Sequence, residues 1–352
     1  FLIAEFSKDL DYSSDLVYYQ RLDLGTRYET LLYTLFPNLL ILHNLNLYDA
    51  AFVRRVPVFA FLNKLKDVAK KRKDLERFDQ GFRVLKSLKG IINCGHENIE
   101  ILCDKLELLS SSRIEPGILQ KGSSIKQLHT WYVYEDFKRA AHYFPNLERL
   151  HILIDDNHYK GPVLEKLEIL EMKLLSHHEI CYAFQVMDSC PNLKSAHLLV
   201  HTNRLFVDEK LKQKCLQDLV IDYEGPSCID WNDLKRALMK YPTLKHLSLR
   251  SLHYIKDEHI KQLVPILPNL VLFDIYDCPA VTQKAADYVK DYCERYGRSI
   301  KFYFKGNRDE LVSDWPQLST KKEKINRAFD FMKHCFLKDF EDLPHFLVPI
   351  GY

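Results

Sequence analysis

One pattern is written twice between Pro242 and Thr282, and it limits what this chain can fold into. The first copy runs Pro242, Thr243, Leu244, then Leu247, Leu249, Leu252, Ile255, and on into Asp257 and Glu258. The second runs Pro268, Asn269, Leu270, then Phe273, Ile275, Cys278, Val281 and Thr282. The copies lie 26 residues apart and share the form L-x-x-L-x-L-x-x-(C/L)-x-x-(I/V).

Within each copy the apolar period changes. Leu247 and Leu249 alternate with His246, Ser248 and Arg250, as in a half-buried strand. Ile260, Leu263, Val264 and Leu267 then fall on one helical face, with Asp257 placed to cap it and Pro268 to stop it. A single strand–helix unit cannot bury its own apolar side, so neighbours must stack. Form and period are those of a leucine-rich repeat, roughly 20–29 residues long. The expected fold is α/β: a leucine-rich-repeat solenoid, or horseshoe, with a curved parallel sheet and outer helices. It should occupy residues 1–306, irregular around 50–98, with a C-terminal capping helix and tail over 307–352.

Five Pro-(Asn/Thr)-Leu marks punctuate the chain, at Pro37, Pro145, Pro191, Pro242 and Pro268. Strand patterns follow at Leu39, Leu42 and Leu45; at Leu150 and Ile152; at Leu193, Ala196 and Leu198; and at Leu216, Leu219 and Ile221. Others are expected at Gln20 to Leu24, Ile99-x-x-Leu102, Ile125-x-x-Leu128, Leu164-x-x-Leu167-x-Ile169 and Ile300 to Phe304. Helices are expected over Ala60 to Lys73 and Glu135 to Phe144, after Ser176 with Glu179 completing a capping box, after Asp230, and after Thr282. A last capping box, Thr320 with Glu323, precedes a helix carrying Ile325, Phe329, Met332 and Phe336 on one face. That helix is expected to close the open end of the solenoid, and the tail from Asp339 either folds back on the sheet or hangs free.

At 352 residues the chain is long enough for two or three ordinary domains, but a solenoid grows by adding repeats. A hydrophobic fraction of 47%, a charged fraction of 28% and a net charge of +2 favour neither nucleic acid nor an anionic membrane. The nine cysteines include no C-x-x-C pair, and no N-x-(S/T) acceptor occurs. Both facts lead us to expect a reducing, cytoplasmic or nuclear setting. No apolar run reaches the roughly 18–20 residues of a membrane span. The chain begins at Phe1 rather than Met, so further sequence is expected upstream.

The segment Leu270, Phe273, Ile275, Cys278, Val281, Thr282 resembles the cysteine-containing subclass of leucine-rich repeats. In that subclass a Cys or Asn turns the chain out of the strand, and I/V-T starts the helix. It is most similar to the substrate-binding half of F-box/leucine-rich-repeat proteins, the substrate receptors of Skp–cullin–F-box ubiquitin ligases. The resemblance covers roughly Leu22 to Phe304, with only two close repeats; Leu252 and Asp155 stand where Cys would. It implies a protein substrate on the concave face, and a Skp-type adaptor and cullin if an F-box precedes Phe1. Residues 1–20 lack the L-P-x-E-like start of that motif. The alternative is a leucine-rich-repeat scaffold or adaptor unrelated to ubiquitin.

In such a horseshoe the residues flanking the central core leucine point to the concave face. The candidate protein-binding residues are His129, Trp131, Arg149, His151, His197, His246, Arg250 and Tyr276. His129, His151 and His197 share one strand position, and the competing reading of this face is a solvated polar sheet. Neighbouring imidazoles about 4.8 Å apart could approach one ion, but no carboxylate or thiolate is placed to complete a site, so no metal is expected. His177, His178 and Cys181 lack a second ligand pair. The basic run Lys70 to Lys73 reads as a solvated helix face, its rival being phosphate or nucleic-acid binding. No G-x-G-x-x-G, P-loop, H-E-x-x-H or G-x-S-x-G is present, and only 11 glycines occur. Neither an enzyme nor a cofactor is expected.

Overall fold

A computed structural model describes residues 3–4, 41–43, 89–92, 106–113, 122–132, 137–154, 158–174, 180–225, 229–311 and 331–347. They belong to two units, Phe1–Tyr132 and Val133–Tyr352.

The first unit carries five parallel strands in chain order: β1 (Ile3–Ala4), β2 (Ile41–His43), β3 (Gly90–Ile92), β4 (Leu108–Arg113) and β5 (Gln127–Tyr132). Leu106-x-x-Leu109 and Ile125-x-x-Leu128 bury all four apolar residues, with Leu109 and Leu128 paired across the strands. The β4 strand is absent from the sequence reading because Ser110, Ser111 and Ser112 hide its second apolar position. The strands expected at Gln20 and Ile99, and the helix with its Lys70 to Lys73 run, lie outside the described residues.

In the second unit the strands are β6 (Arg149–Ile154), β7 (Ile169–Leu174), β8 (Ile180–Cys181), β9 (Ser195–Val200), β10 (Arg204–Leu205), β11 (Asp218–Tyr223), β12 (His246–Arg250), β13 (Leu272–Tyr276) and β14 (Lys301–Tyr303). Seven of them form a parallel run in the order β6-β7-β9-β11-β12-β13-β14, while β8 and β10 pair apart. Register is regular. Leu150, Leu170, Ala196, Leu219, Leu247, Phe273 and Phe302 stand side by side in one row, and Ile152, Met172, Leu198, Ile221, Leu249 and Ile275 in the next. All are buried. Each fully buried aliphatic side chain contributes about 1.5–3 kcal/mol of transfer free energy, so these rows dominate the sheet's stability.

The connections behind the sheet hold α1 (Phe137–Ala140), α2 (Ala183–Asp188), α3 (Trp231–Leu238), α4 (Asp257–Ile266) and α5 (Gln283–Tyr296); α6 (Phe331–His334) follows the last strand. Asp230 caps α3 by accepting the Asp233 N–H at 3.0 Å, and Thr282 caps α5 by accepting that of Lys284 at 3.3 Å. Asp257 plays a different part from the one expected. It is the first residue of α4, and its carboxylate accepts the N–H and hydroxyl of Thr282, both at 2.7 Å, tying one helix start to the next. The α2 helix starts at Ala183, with Ile180 in β8 rather than on the helix; the Ser176 cap lies outside the described residues.

The punctuation marks have a physical role. Asn192 Nδ2 donates to the Glu165 carbonyl and Asn269 Nδ2 to the Pro242 carbonyl, each at 2.7 Å, and Thr243 Oγ1 donates to Leu216 O at 3.0 Å. A short polar side chain after proline thus satisfies a backbone acceptor in the preceding turn, where no ladder bond reaches. At the other end of the strands, Ser251 and Asp277 follow β12 and β13 with φ of 58° and 49°. Both take the left-handed conformation at the equivalent point, so the chain leaves the sheet by the same turn in both copies.

One register differs from expectation. The pattern Leu164-x-x-Leu167-x-Ile169 would place Lys166 and Glu168 on the face opposite the core. The structure pairs Leu170 with Leu150, so the pattern in use is Leu167-x-x-Leu170-x-Met172, three residues later. The face positions of β7 are therefore Ile169, Glu171 and Lys173. Leu164 and Leu167 are still buried, in the turn before the strand, which is why both registers look alike in sequence.

Candidate protein-binding face

The side of the second unit's sheet that faces away from α1–α5 presents three rows. The first is Arg149, Ile169, Ser195, Asp218, His246 and Leu272; the second is His151, Glu171, His197, Val220, Ser248, Asp274 and Tyr303. The third is Leu153, Lys173, Leu199, Asp222, Arg250 and Tyr276. A solvated face should expose most of these. Instead Arg149, His151, His197, His246 and Arg250 are all buried, and Tyr276, 38% exposed, is the partly open member. In the first unit His129 is buried too and lies 3.2 Å from Ser110 Oγ through Nδ1. Trp131 belongs to β5, with its side chain outside the description.

The cover is the chain's own C-terminal segment. Phe331, Met332, Cys335, Phe336, Phe340, Leu343 and Leu347 form one apolar cluster with the face residues Leu153, Ile169, Leu199, Val220, Leu272 and Tyr303. Met332 and Phe336 thus lie on the sheet face, not across the end of the sheet where the sequence placed them. Ile325, Phe329 and the Thr320 capping box are outside the described residues. Phe336 stands edge-on to His246, and Phe340 contacts His197 edge-on and His151 at a tilt, with centroids 6.3, 5.6 and 4.7 Å apart. The segment therefore crosses the strands from β12 towards β6.

Two buried arginines hold its main chain. Arg250 Nη1 donates to the Lys338 carbonyl at 2.6 Å, and Nη2 donates to that of Phe336. Arg149 Nη2 reaches the Pro344 carbonyl at 2.7 Å and Nη1 that of His345 at 3.1 Å. These carbonyls end or follow short helical turns, where acceptors are left without intrahelical donors.

Beneath them runs a polar network. Glu171 accepts from Arg149 Nη2 at 2.6 Å and Nε at 3.3 Å, approaches His151 Nδ1 at 3.1 Å, and accepts from Cys335 Sγ at 3.2 Å. Burial alone would raise its pKa, but Arg149 and His151 outweigh that and hold the carboxyl at about 2. Asp218 accepts from Ser195 Oγ at 2.6 Å and lies 2.7 Å from His246 Nδ1. Ser248 donates to Asp274 at 2.8 Å and accepts from Arg250 Nε at 3.1 Å. Burial raises Asp274 above the usual carboxylate range against the pull of Ser248 and Arg250. Arg308 lies over the Tyr276 ring, 3.4 Å from its centroid, an arrangement for cation–π attraction.

His197 is the exception. It is fully buried, and among the described residues neither ring nitrogen has a hydrogen-bond partner. Burial, reinforced by Arg250, pushes its pKa well below the ordinary imidazole value.

Sequence reasoning found the polar members of this face but missed Glu171, through the register at Leu164; it left open whether the tail from Asp339 folds back on the sheet, and the structure takes that alternative. A signal for the cover exists. Leu198-Leu199-Val200, Leu219-Val220-Ile221 and Leu272-Phe273 are apolar at consecutive positions, the mark of strands buried on both sides. Among the described residues no helix is long and apolar enough to cross a membrane, and no three His, Cys, Asp or Glu side chains are grouped to hold a metal.

No family model matches the chain, and no curated protein matches it. Solved structures do. One is the crystal structure of a TLR13–ssRNA13 complex, 18% identical with a TM-score of 0.37; the match spans 57% of this chain and 36% of that one.

Proposed function

We propose that the chain is a leucine-rich-repeat solenoid acting as a protein-interaction module. Within that reading it is the substrate-recognition part of an F-box/leucine-rich-repeat subunit of an SCF-type ubiquitin ligase. The observation that carries the repeat reading is the shared register of L-x-x-L-x-L units over six parallel strands, β6, β7, β9, β11, β12 and β13. The ladder of Asn192, Thr243 and Asn269 supports it, as do the matched left-handed turns at Ser251 and Asp277. The ligase assignment rests on the cysteine form of the second copy. Cys278 is buried in the turn after β13, with Sγ 3.3 Å from the Tyr276 carbonyl.

On this reading the chain is not catalytic, needs no cofactor and works in the cytoplasm or nucleus. Its task is positioning, and the ubiquitin chemistry belongs to partner enzymes. The test is affinity capture of the full-length protein from its own cells, probed for Skp-type adaptor and cullin. Recovery of both is expected. Their absence, with other proteins captured, would leave a leucine-rich-repeat scaffold and end the ubiquitin assignment.

A further inference from the structure

The segment 331–347 is held in an unusual way. Its side chains contribute apolar bulk at Met332, Phe336, Phe340, Leu343 and Leu347. The charged groups of the sheet address its main chain and three polar side chains as well: Lys173 Nζ pairs with Glu341 at 2.6 Å, Arg250 Nη1 lies 3.6 Å from Asp339, and Glu171 accepts from Cys335. Arg250 and Arg149, on strands at opposite sides of the segment, donate to four carbonyls, those of Phe336, Lys338, Pro344 and His345. A carbonyl is the same in every residue. Recognition therefore combines a spacing of large apolar side chains, which the sheet's apolar residues accept, a backbone path that two guanidinium groups hold through carbonyls, and an acidic side chain beside Lys173. That is how a surface binds a peptide.

Resting on the interaction-module reading, we infer that this face is a binding site for a linear apolar segment of a protein partner, and that residues 331–347 are its resident intramolecular occupant. The partner segment presents large apolar residues at the spacing of Phe336, Phe340, Leu343 and Leu347 and leaves its carbonyls free for Arg250 and Arg149. It carries an aromatic ring where Phe340 sits, packed against the rings of His197 and His151. Exchange is physically reasonable, because withdrawal of the segment returns Arg149, Glu171 and Arg250 to water instead of stranding them. A tethered occupant competes at an effective concentration of about millimolar order, so a free segment must outbid it or the tether must be disabled.

The test uses the whole chain. A protease recognition site placed between Thr320 and Lys321 allows the tail to be severed after folding, and a fluorescent peptide of residues 331–347 is the probe. Anisotropy should show the probe entering the severed protein at least tenfold more tightly than the uncut one. A probe with Phe336→Ala and Phe340→Ala, or a chain with Arg250→Ala, should bind at least tenfold more weakly. If the severed tail stays in place through gel filtration and the probe never enters, the segment is permanent core and the inference is wrong. Equal binding of a scrambled probe overturns it as well. Should cleavage unfold the protein, Phe340→Ala in the uncut chain replaces it: probe binding must then rise over wild type, and no rise refutes the inference.

Affinity capture with cut and uncut protein separates this inference from the broader reading. Adaptor and substrates captured without probe entry would sink the inference and leave the receptor assignment standing. Probe entry with no adaptor captured would do the reverse.

Discussion

Arg149 Nη2 lies 2.6 Å from Glu171 Oε2, and both side chains are sealed from solvent beneath the C-terminal segment. A buried pair of this kind is weak evidence for stability, since desolvation cancels much of the attraction, but losing one partner strands the other. Glu171→Ala should therefore cost about 3–5 kcal/mol. Replacing both with apolar residues of similar volume, Arg149→Met with Glu171→Leu, should restore part of that loss, the remainder being the Pro344 and His345 carbonyls that lose their donor. Urea denaturation of the two variants decides the matter; equal destabilisation would mean the pair is not isolated from water.

A second expectation concerns the register of the core rows. Leu247 lies between Leu219 and Phe273 and is inaccessible, so Leu247→Asp buries a carboxylate with no counter-charge. The cost is at least about 3 kcal/mol, and far more if the group stays ionised. Loss of the cooperative thermal transition is expected. A soluble, cooperative Leu247→Asp protein would show that this row does not face the core.

His197 sets a pH dependence whose sign follows from its environment. Burial and Arg250 depress its folded pKa below the ordinary 6.5, so near that pH the unfolded chain binds a proton that the folded chain refuses. Its contribution to stability is present above about pH 6.5 and is lost as pH falls, by up to about 1.4 kcal/mol per pH unit. Asp222 and Asp274 act in the opposite sense, since burial raises them. Thermal melts between pH 7.5 and 5.5 should show declining stability, and His197→Leu should flatten the slope whatever it does to the absolute value. An unchanged slope would assign the effect to another group.

The sheet was legible where one residue type could occupy each position. The pair Leu247/Leu249, flanked by His246, Ser248 and Arg250, leaves only one face for the core, and its register was read correctly. At Leu164, Leu167, Ile169 and Leu170 apolar residues crowd together and two registers satisfy the pattern; pairing with β6 chooses between them, and pairing is invisible in a single chain. The candidate face was legible as a set of positions but not as an environment. Whether Arg250 meets water or the carbonyl of Lys338, 88 residues away, depends on where the tail lies. The tail's own pattern shows only that it is amphipathic.

Cys278 offers the last expectation, because its thiol reports on the turn that defines its repeat. Burial pushes it up to about 12, against a hydrogen bond from the Leu252 backbone, so at pH 8 the thiolate is a fraction on the order of 10⁻⁴. Cys293, on α5, is only partly buried. A maleimide reagent at pH 8 should therefore modify Cys293 first and reach Cys278 only through opening of the fold, with a rate that climbs steeply as urea approaches the unfolding midpoint. Mass spectrometry of timed digests separates the two sites. Equal native rates would mean that the strand-to-helix turn opens locally, and Cys278 would then be a poor foundation for the repeat it closes.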